Sequence, residues 1–267
     1  MIDWTQPDAD LEGAVDFGVC LRQSAPATTT RFPAMAKAML TATRIGASEW
    51  AIRFHALTSS PTTHVQTGPL HALGLVLPAS TAARLMGPTT GARVDVVLPW
   101  GDVAGDGEQA RLLDAWRADD TDASRLHALQ ESLRRVLARE PERHRDSRAR
   151  MLRHLEDAVG RQGARAAGVL GVSERQLERR CRQWLGLAPK RLHRLTRFES
   201  ALCGALATRR VPDVDAALAA GYYDQSHLAR DARRLAGAPM RELLAGARAD
   251  AAWWPLATRR MTGERWR

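Results

Sequence analysis

Two segments of this 267-residue chain repeat one pattern at an offset of 51 residues: SERQLERRCRQWLG at 173–186 and DQSHLARDARRLAG at 224–237. Each opens on a residue suited to cap a helix, Ser173 or Asp224. Each then places leucine at the fifth position (Leu177, Leu228) and arginine two and five residues later (Arg179 and Arg182, Arg230 and Arg233). Each closes on glycine (Gly186, Gly237), with Pro189 or Pro239 just beyond, and each follows an alanine-rich stretch ending in glycine, ARAAGVLG or DVDAALAAG. A short helix, a tight turn and a second capped helix is the helix-turn-helix plan. Start and stop signals act within a few residues, so a repeat that carries both restricts the fold strongly.

In such a unit the second helix lies in the major groove with its N-terminal half nearest the bases. The long polar side chains of the first candidate recognition helix are Arg175, Gln176, Glu178, Arg179 and Arg182, with Ser173 as its cap. The corresponding set on the second is Gln225, Ser226, His227 and Arg230. Arginine pairs bidentately with guanine, glutamine with adenine, and glutamate accepts from cytosine. Leu177, Cys181, Leu228 and Ala232 fall on the inward faces. Fewer charges on the second helix make it the weaker reader.

The connector PKRLHRLTRFESALCGALATRR opens with Pro189 at a first helical position, and Leu192, Leu195, Leu202 and Leu206 recur at helical spacing. Twenty residues at 1.5 Å each span about 30 Å. One helical turn of DNA is about 34 Å, so one stiff helix can set two recognition helices into adjacent grooves.

Upstream the period changes. Val15, Phe17, Val19 and Leu21 alternate with other residues, as do Trp50, Ile52 and Phe54; the runs His71–Leu77 and Arg93–Trp100 are apolar. This predicts strands of a small sandwich or barrel, with a short helix over Ser80–Met86. From about residue 107, Leu112, Leu113 and Trp116, then Leu126, Leu129, Leu133, Val136 and Leu137, form amphipathic helical stripes. These helices either pack on the β domain or form a dimerising arm. The charged segment PERHRDSRAR at 141–150 reads as a linker. The expected fold is α+β in two domains: a β-rich sensor or dimerisation domain at 1–105, a helical linker region at 106–147, an all-α double helix-turn-helix domain at 148–247, and a tail at 248–267.

Charge follows the same division. Residues 1–130 hold 10 Lys/Arg and 14 Asp/Glu, a net of −4; the remainder holds 29 and 16, a net of +13, and the whole carries +9. A basic half on a mildly acidic one suits a polyanionic partner. There is no apolar run of about 18 residues and no basic, apolar leader, so no membrane span is expected and the cytoplasm is the expected location. Cys20, Cys181 and Cys203 are too few and too scattered for a disulfide framework or zinc site. His55, His64 and His71 share a region but have no carboxylate at a helpful spacing, so no metal and no cofactor is expected. No nucleophile or phosphate-loop motif occurs, and Cys20 has no motif around it that marks a reactive thiol.

The pieces LGVSERQLERRCRQWLGLAPKRLHRLTRF and DVDAALAAGYYDQSHLARDARRLAGAPMREL resemble the AraC/XylS family of bacterial transcription regulators over about 100 residues. By position the resemblance puts base contacts on Arg175, Glu178, Arg179, Gln225, Ser226 and Arg230. FPAMAKAMLTATRIG and HVQTGPLHALGLVLPASTAARLMG resemble the β-rich sensor-like domain of one branch, implying effector binding or dimerisation there. Two positions depart: the family usually has phenylalanine where this chain has Cys181 and Ala232. The space must be filled otherwise, with Trp184 or the tail's Trp253 and Trp254 as candidates.

The sequence therefore points to a sequence-specific regulator and not an enzyme. Double-stranded DNA is the expected partner; a small-molecule effector, RNA polymerase and a second copy of the chain are further candidates. Two other readings compete: an N-terminal small-molecule enzyme tethered to DNA, and a non-specific architectural binder.

Overall fold

A computed structural model describes residues 2–24, 28–88, 94–118 and 121–249. Eight strands come first: β1 (Ile2–Thr5), β2 (Phe17–Gln23), β3 (Thr28–Phe32), β4 (Lys37–Ile45), β5 (Ala51–His55), β6 (Thr62–Gln66), β7 (Leu70–Pro78) and β8 (Val97–Pro99), with helix α1 (Ala79–Met86) between the last two. Six strands make one antiparallel sheet in the order β1-β2-β7-β4-β5-β8, and β3 pairs with β6 as a separate ribbon.

The alternation of β2 has an unexpected result: all of Phe17–Leu21 is buried. One face of the sheet (Leu40, Ala42, Ile52, Phe54, Leu73, Leu75, Leu77) joins the main core with helices. The other (Phe17, Val19, Leu21, Met39, Ala72, Val76) forms a separate apolar cluster, with Phe32 of the ribbon packed against it. Gly18 is required where β1 crosses: a Cβ there would lie 2.5 Å from Thr5 Oγ1. The expected strand at Arg93–Trp100 is shorter. Trp100 begins helix α2 (Trp100–Ala104), where its indole is buried and donates to Ser132 Oγ at 2.9 Å.

Helices α3 (Asp106–Ala118) and α4 (Asp122–Ala138) lie against the β domain, with Leu112, Trp116, Leu126, Leu129 and Leu133 in the main core, so their apolar stripes face the sheet rather than a dimerising arm. The charged segment expected to be a linker is the first half of α5 (Glu142–Gln162), one continuous 21-residue helix. Its inward face starts at Ala149 and continues through Leu152, Leu155 and Val159. The C-terminal helical domain follows: α6 (Ala166–Val169), α7 (Glu174–Arg180) extended by a wide π-type turn over Cys181–Leu185, α8 (Pro189–Thr208), α9 (Val214–Ala219), α10 (Gln225–Ala236) and α11 (Met240–Ala249). No helix among the described residues is long and apolar enough to cross a membrane. Trp253 and Trp254 lie outside the described residues.

The two domains share a buried charge cluster. Lys37 Nζ lies 3.0 Å from Asp16 and 3.9 Å from Glu156 of α5. Glu156 also accepts from Ala79 N at 3.0 Å and Ser80 N at 2.9 Å, at the start of α1. Glu199 of α8 accepts a short hydrogen bond from Ala36 N. Burial alone would lower Lys37, but Asp16, Glu156 and Glu199 together hold it above its ordinary value. Burial pushes Glu199 up to about 7, against the pull of Lys37 and the Ala36 amide.

Candidate nucleic-acid interface

The first recognition helix, α7, starts with a complete capping box. Ser173 Oγ accepts from Gln176 N at 3.2 Å, and Gln176 Oε1 accepts from Ser173 N at 3.0 Å. Gly186, in the left-handed conformation, ends its continuation. Ser173→Ala is expected to cost about 1 kcal/mol, read as a lower urea midpoint with an unchanged slope; an unchanged midpoint would show that the box contributes nothing to stability.

Leu177 and Cys181 are buried while Ser173, Arg175, Gln176, Glu178, Arg179 and Arg182 are all exposed on the same helix. Two of these side chains have local work. The oxygen of Gln176 serves the cap, and Glu178 Oε1 accepts from Arg182 at 2.9 and 3.1 Å. Arg175 and Arg179 make no ion pair among the described residues. They are the cations on this face available to a phosphate or a guanine edge.

In the second unit, Asp224 caps α10 by accepting from His227 N at 2.6 Å. Gln225, Ser226 and Arg230 are exposed, and Gln225 Nε2 also donates to Pro212 O at 3.1 Å. His227 turns the other way. Its ring meets Tyr222 edge-on at 5.1 Å, and Nε2 lies 3.3 Å from Arg197 Nη2. Its side chain packs within the unit, apart from the outward set that the sequence grouped it with.

Sequence reasoning missed the brace beneath α10. Asp231, on the buried face, lies 3.1 Å from Arg197 and 3.8 Å from Arg194 of α8, and Arg197 stacks over Tyr222 at 4.2 Å. This ties the second recognition helix to the connector. An aspartate three residues after the inward Leu228 was the available signal.

No phenylalanine stands at either inward position. Cys181 and Ala232 are fully buried, and the domain's interior contains Phe198 of α8 and Tyr222. Trp184 is only partly buried and faces α1 of the β domain, beside Leu57, Ala79 and Ala83. It packs between the domains rather than standing in for an aromatic inside the unit.

Two capped, arginine-bearing helices, each the second of a helix-turn-helix unit and joined by the 20-residue α8, define a double helix-turn-helix DNA-binding domain. Residues 166–246 match the family described as a helix-turn-helix domain, of AraC type. No curated protein matches the sequence. Three similar solved structures are all ToxT from Vibrio cholerae. One, from strain O395, is 11% identical, covers 91% of this chain and 97% of its own, and has a TM-score of 0.45. A second, the unsaturated fatty acid-bound wild type of strain SCE256, is 10% identical, covers 84% and 94%, and also has a TM-score of 0.45. The third, bound to (E)-4-(8-methylnaphthalen-1-yl)but-3-enoic acid, is 12% identical, covers 91% and 98%, and again has a TM-score of 0.45. Identity and superposition are both low, so these neighbours transfer no residue role.

Proposed function

We propose that the protein reads a specific DNA site through two adjacent major grooves and that a small molecule in the β domain modulates the reading. The observation that carries the DNA reading is the pair of outward, capped faces: Arg175 and Arg179 on α7, and Gln225, Ser226 and Arg230 on α10. Other arginines on the basic half hold phosphates, which position the domain without reading sequence. Such a protein works in the cytoplasm, where its DNA is.

Arg179→Ala is expected to weaken binding to the cognate site by about 1–3 kcal/mol and to relax preference at one or two base pairs. Gel shifts at fixed salt on the site and on random duplex test this. An equal loss on both duplexes would move Arg179 from base reading to phosphate anchoring. Similar affinity of the wild type for all duplexes would make the protein an architectural binder.

The effector reading rests on a cavity of about 290 Å³ between the sheet and the β3–β6 ribbon. Its walls are mainly apolar, including Leu21, Phe32, Met35, Met39 and Leu70. Its polar groups include Thr41 and His55, paired at 2.9 Å, and burial lowers His55 to about 4, so that it is neutral at pH 7. An apolar molecule with a hydrogen-bonding end fits these walls. Phe32 and Met35 bracket Ala34, whose N–H donates to Leu235 O on α10 at 2.6 Å, and Arg31 Nη1 lies 3.4 Å from Gly237 O. A ligand that moves this wall therefore acts on the second recognition helix through one segment of chain.

A further inference from the structure

The structure brings together three side chains that the sequence keeps far apart: Cys20 of β2, His71 of β7 and Asp122 at the first turn of α4. Strand register sets the first two beside each other, because Arg22 pairs with His71 and Cys20 with Leu73. The docking of α4 on β2 and β7 supplies the third. Cys20 Sγ lies 2.9 Å from Asp122 Oδ2, and His71 Nε2 lies 2.9 Å from Asp122 Oδ1. One ligand atom from each residue lies within 4.8 Å of the others.

His71 Nε2 and Asp122 Oδ1 face one another across 2.9 Å as an imidazole–carboxylate pair, and Arg125 Nη1 lies 3.7 Å from the same oxygen. A thiol, an imidazole nitrogen and a carboxylate oxygen around one point are a ligand set for zinc. A carboxylate held by a second partner is also what a metal site needs around it. Arg22 supplies this, donating to Asp122 Oδ2 from Nε at 3.0 Å and Nη2 at 2.9 Å.

We propose that Cys20, His71 and Asp122 form a binding site for a zinc-class divalent cation, with water as the fourth ligand. Binding displaces the Cys20 thiol proton to solvent. The thiolate and the Asp122 carboxylate then balance the two charges of the metal, while His71 binds as neutral imidazole. The positive charge of Arg22 limits the affinity. The site joins two central strands to the start of α4, on the sheet face opposite the small-molecule cavity, so it is independent of the effector reading.

The test uses the full chain, stripped with chelator and titrated with Co²⁺. The expected result is one equivalent bound, with tetrahedral visible bands and a thiolate-to-cobalt charge-transfer band that Zn²⁺ bleaches. Cys20→Ser should abolish the charge-transfer band, and His71→Gln should weaken binding more than tenfold. Cys181→Ser and Cys203→Ser should leave the band in place. The proposal fails if the wild type shows no charge-transfer band, or if the band survives Cys20→Ser. The wild-type spectrum decides by itself should a variant not fold. A Zn²⁺-induced rise in melting temperature that is equal in wild type and His71→Gln would also overturn it.

Discussion

Replacing Lys37 by methionine is expected to destabilise the protein by about 3–5 kcal/mol, the usual cost of removing one partner from a buried charge group. The ammonium faces Asp16, Glu156 and Glu199, and its side chain is only 12% exposed. Without it three carboxylates remain in one low-dielectric region. Glu156 keeps the two amides of α1 as hydrogen-bond donors, and Glu199 keeps the Ala36 amide. Methionine approximates the lysine stem, which keeps the packing change small. Glu199→Gln in the Lys37→Met background should therefore recover a large part of the loss well above pH 7, where the Glu199 carboxyl would otherwise have to ionise, and little at lower pH, where it is already protonated; the amide keeps an acceptor for Ala36 N. Urea unfolding followed by tryptophan fluorescence measures both. A loss below 1 kcal/mol, or no recovery in the double variant, would show that the cluster does not work by charge.

The cluster matters beyond stability because of where it sits. Asp16 and Lys37 belong to the β domain, Glu156 to α5 and Glu199 to α8, the connector of the two helix-turn-helix units. Contacts on either side of it reach both recognition helices. Val94 lies against Gly186 so closely that a Cβ there would be 2.8 Å from Val94 Cγ2, and Arg31 and Pro61 flank Gly237. Arg191 of α8 donates to Ser59 O at 2.6 Å. The β domain thus touches the C-terminal end of each recognition helix and the rod between them. Those ends point away from the base-reading N-terminal turns, so contact there and contact with DNA are geometrically compatible.

How much of this could be read from the chain follows from the range of each interaction. Ser173, Gln176, Gly186, Pro189, Asp224 and Gly237 act on backbone within a few residues, and their repeat was legible without any partner. The β domain was legible as strands. Its two-sided burial was not, because alternation in β2 cannot show that a second layer covers the outer face. The 141–150 segment misled because His144, Asp146 and Arg150 are exposed on α5 and its half-buried Arg145 and Arg148 find partners back at Ala138 and Glu140, while the apolar positions that reveal a helix begin only at Ala149. His227 misled because its polar type suggested the surface, whereas its partners, Arg197 and Tyr222, come from elsewhere in the fold. Cys20, His71 and Asp122 are separated by about fifty residues each, and only strand register and helix docking bring them together. The Lys37 cluster is hidden for the same reason: its carboxylates come from the turn before β2, from α5 and from α8.

The pH dependence of stability should expose Glu199 directly. In the folded protein its carboxyl is pushed up to about 7 from an ordinary 4.5, so folding favours the protonated form. Stability from this group is complete below the unfolded value, falls as the pH rises through the interval, and is lost above about 7. At full burial the difference corresponds to about 3 kcal/mol. Glu199→Gln keeps the acceptor for Ala36 N and does not titrate. Relative to that variant, the wild type should lose stability steadily between about pH 4.5 and 7 and run parallel to it above. Asp10, Glu108 and Asp122, all held below the ordinary carboxylate range, oppose this at lower pH, because their contributions are lost as the pH falls. They are present in both proteins, so they cancel in the difference. Urea midpoints of the two proteins, measured from pH 4.5 to 8 at fixed ionic strength, give the curve. Parallel profiles throughout would mean that Glu199 is ionised across the range, and that Lys37 stabilises the carboxylate more than burial opposes it.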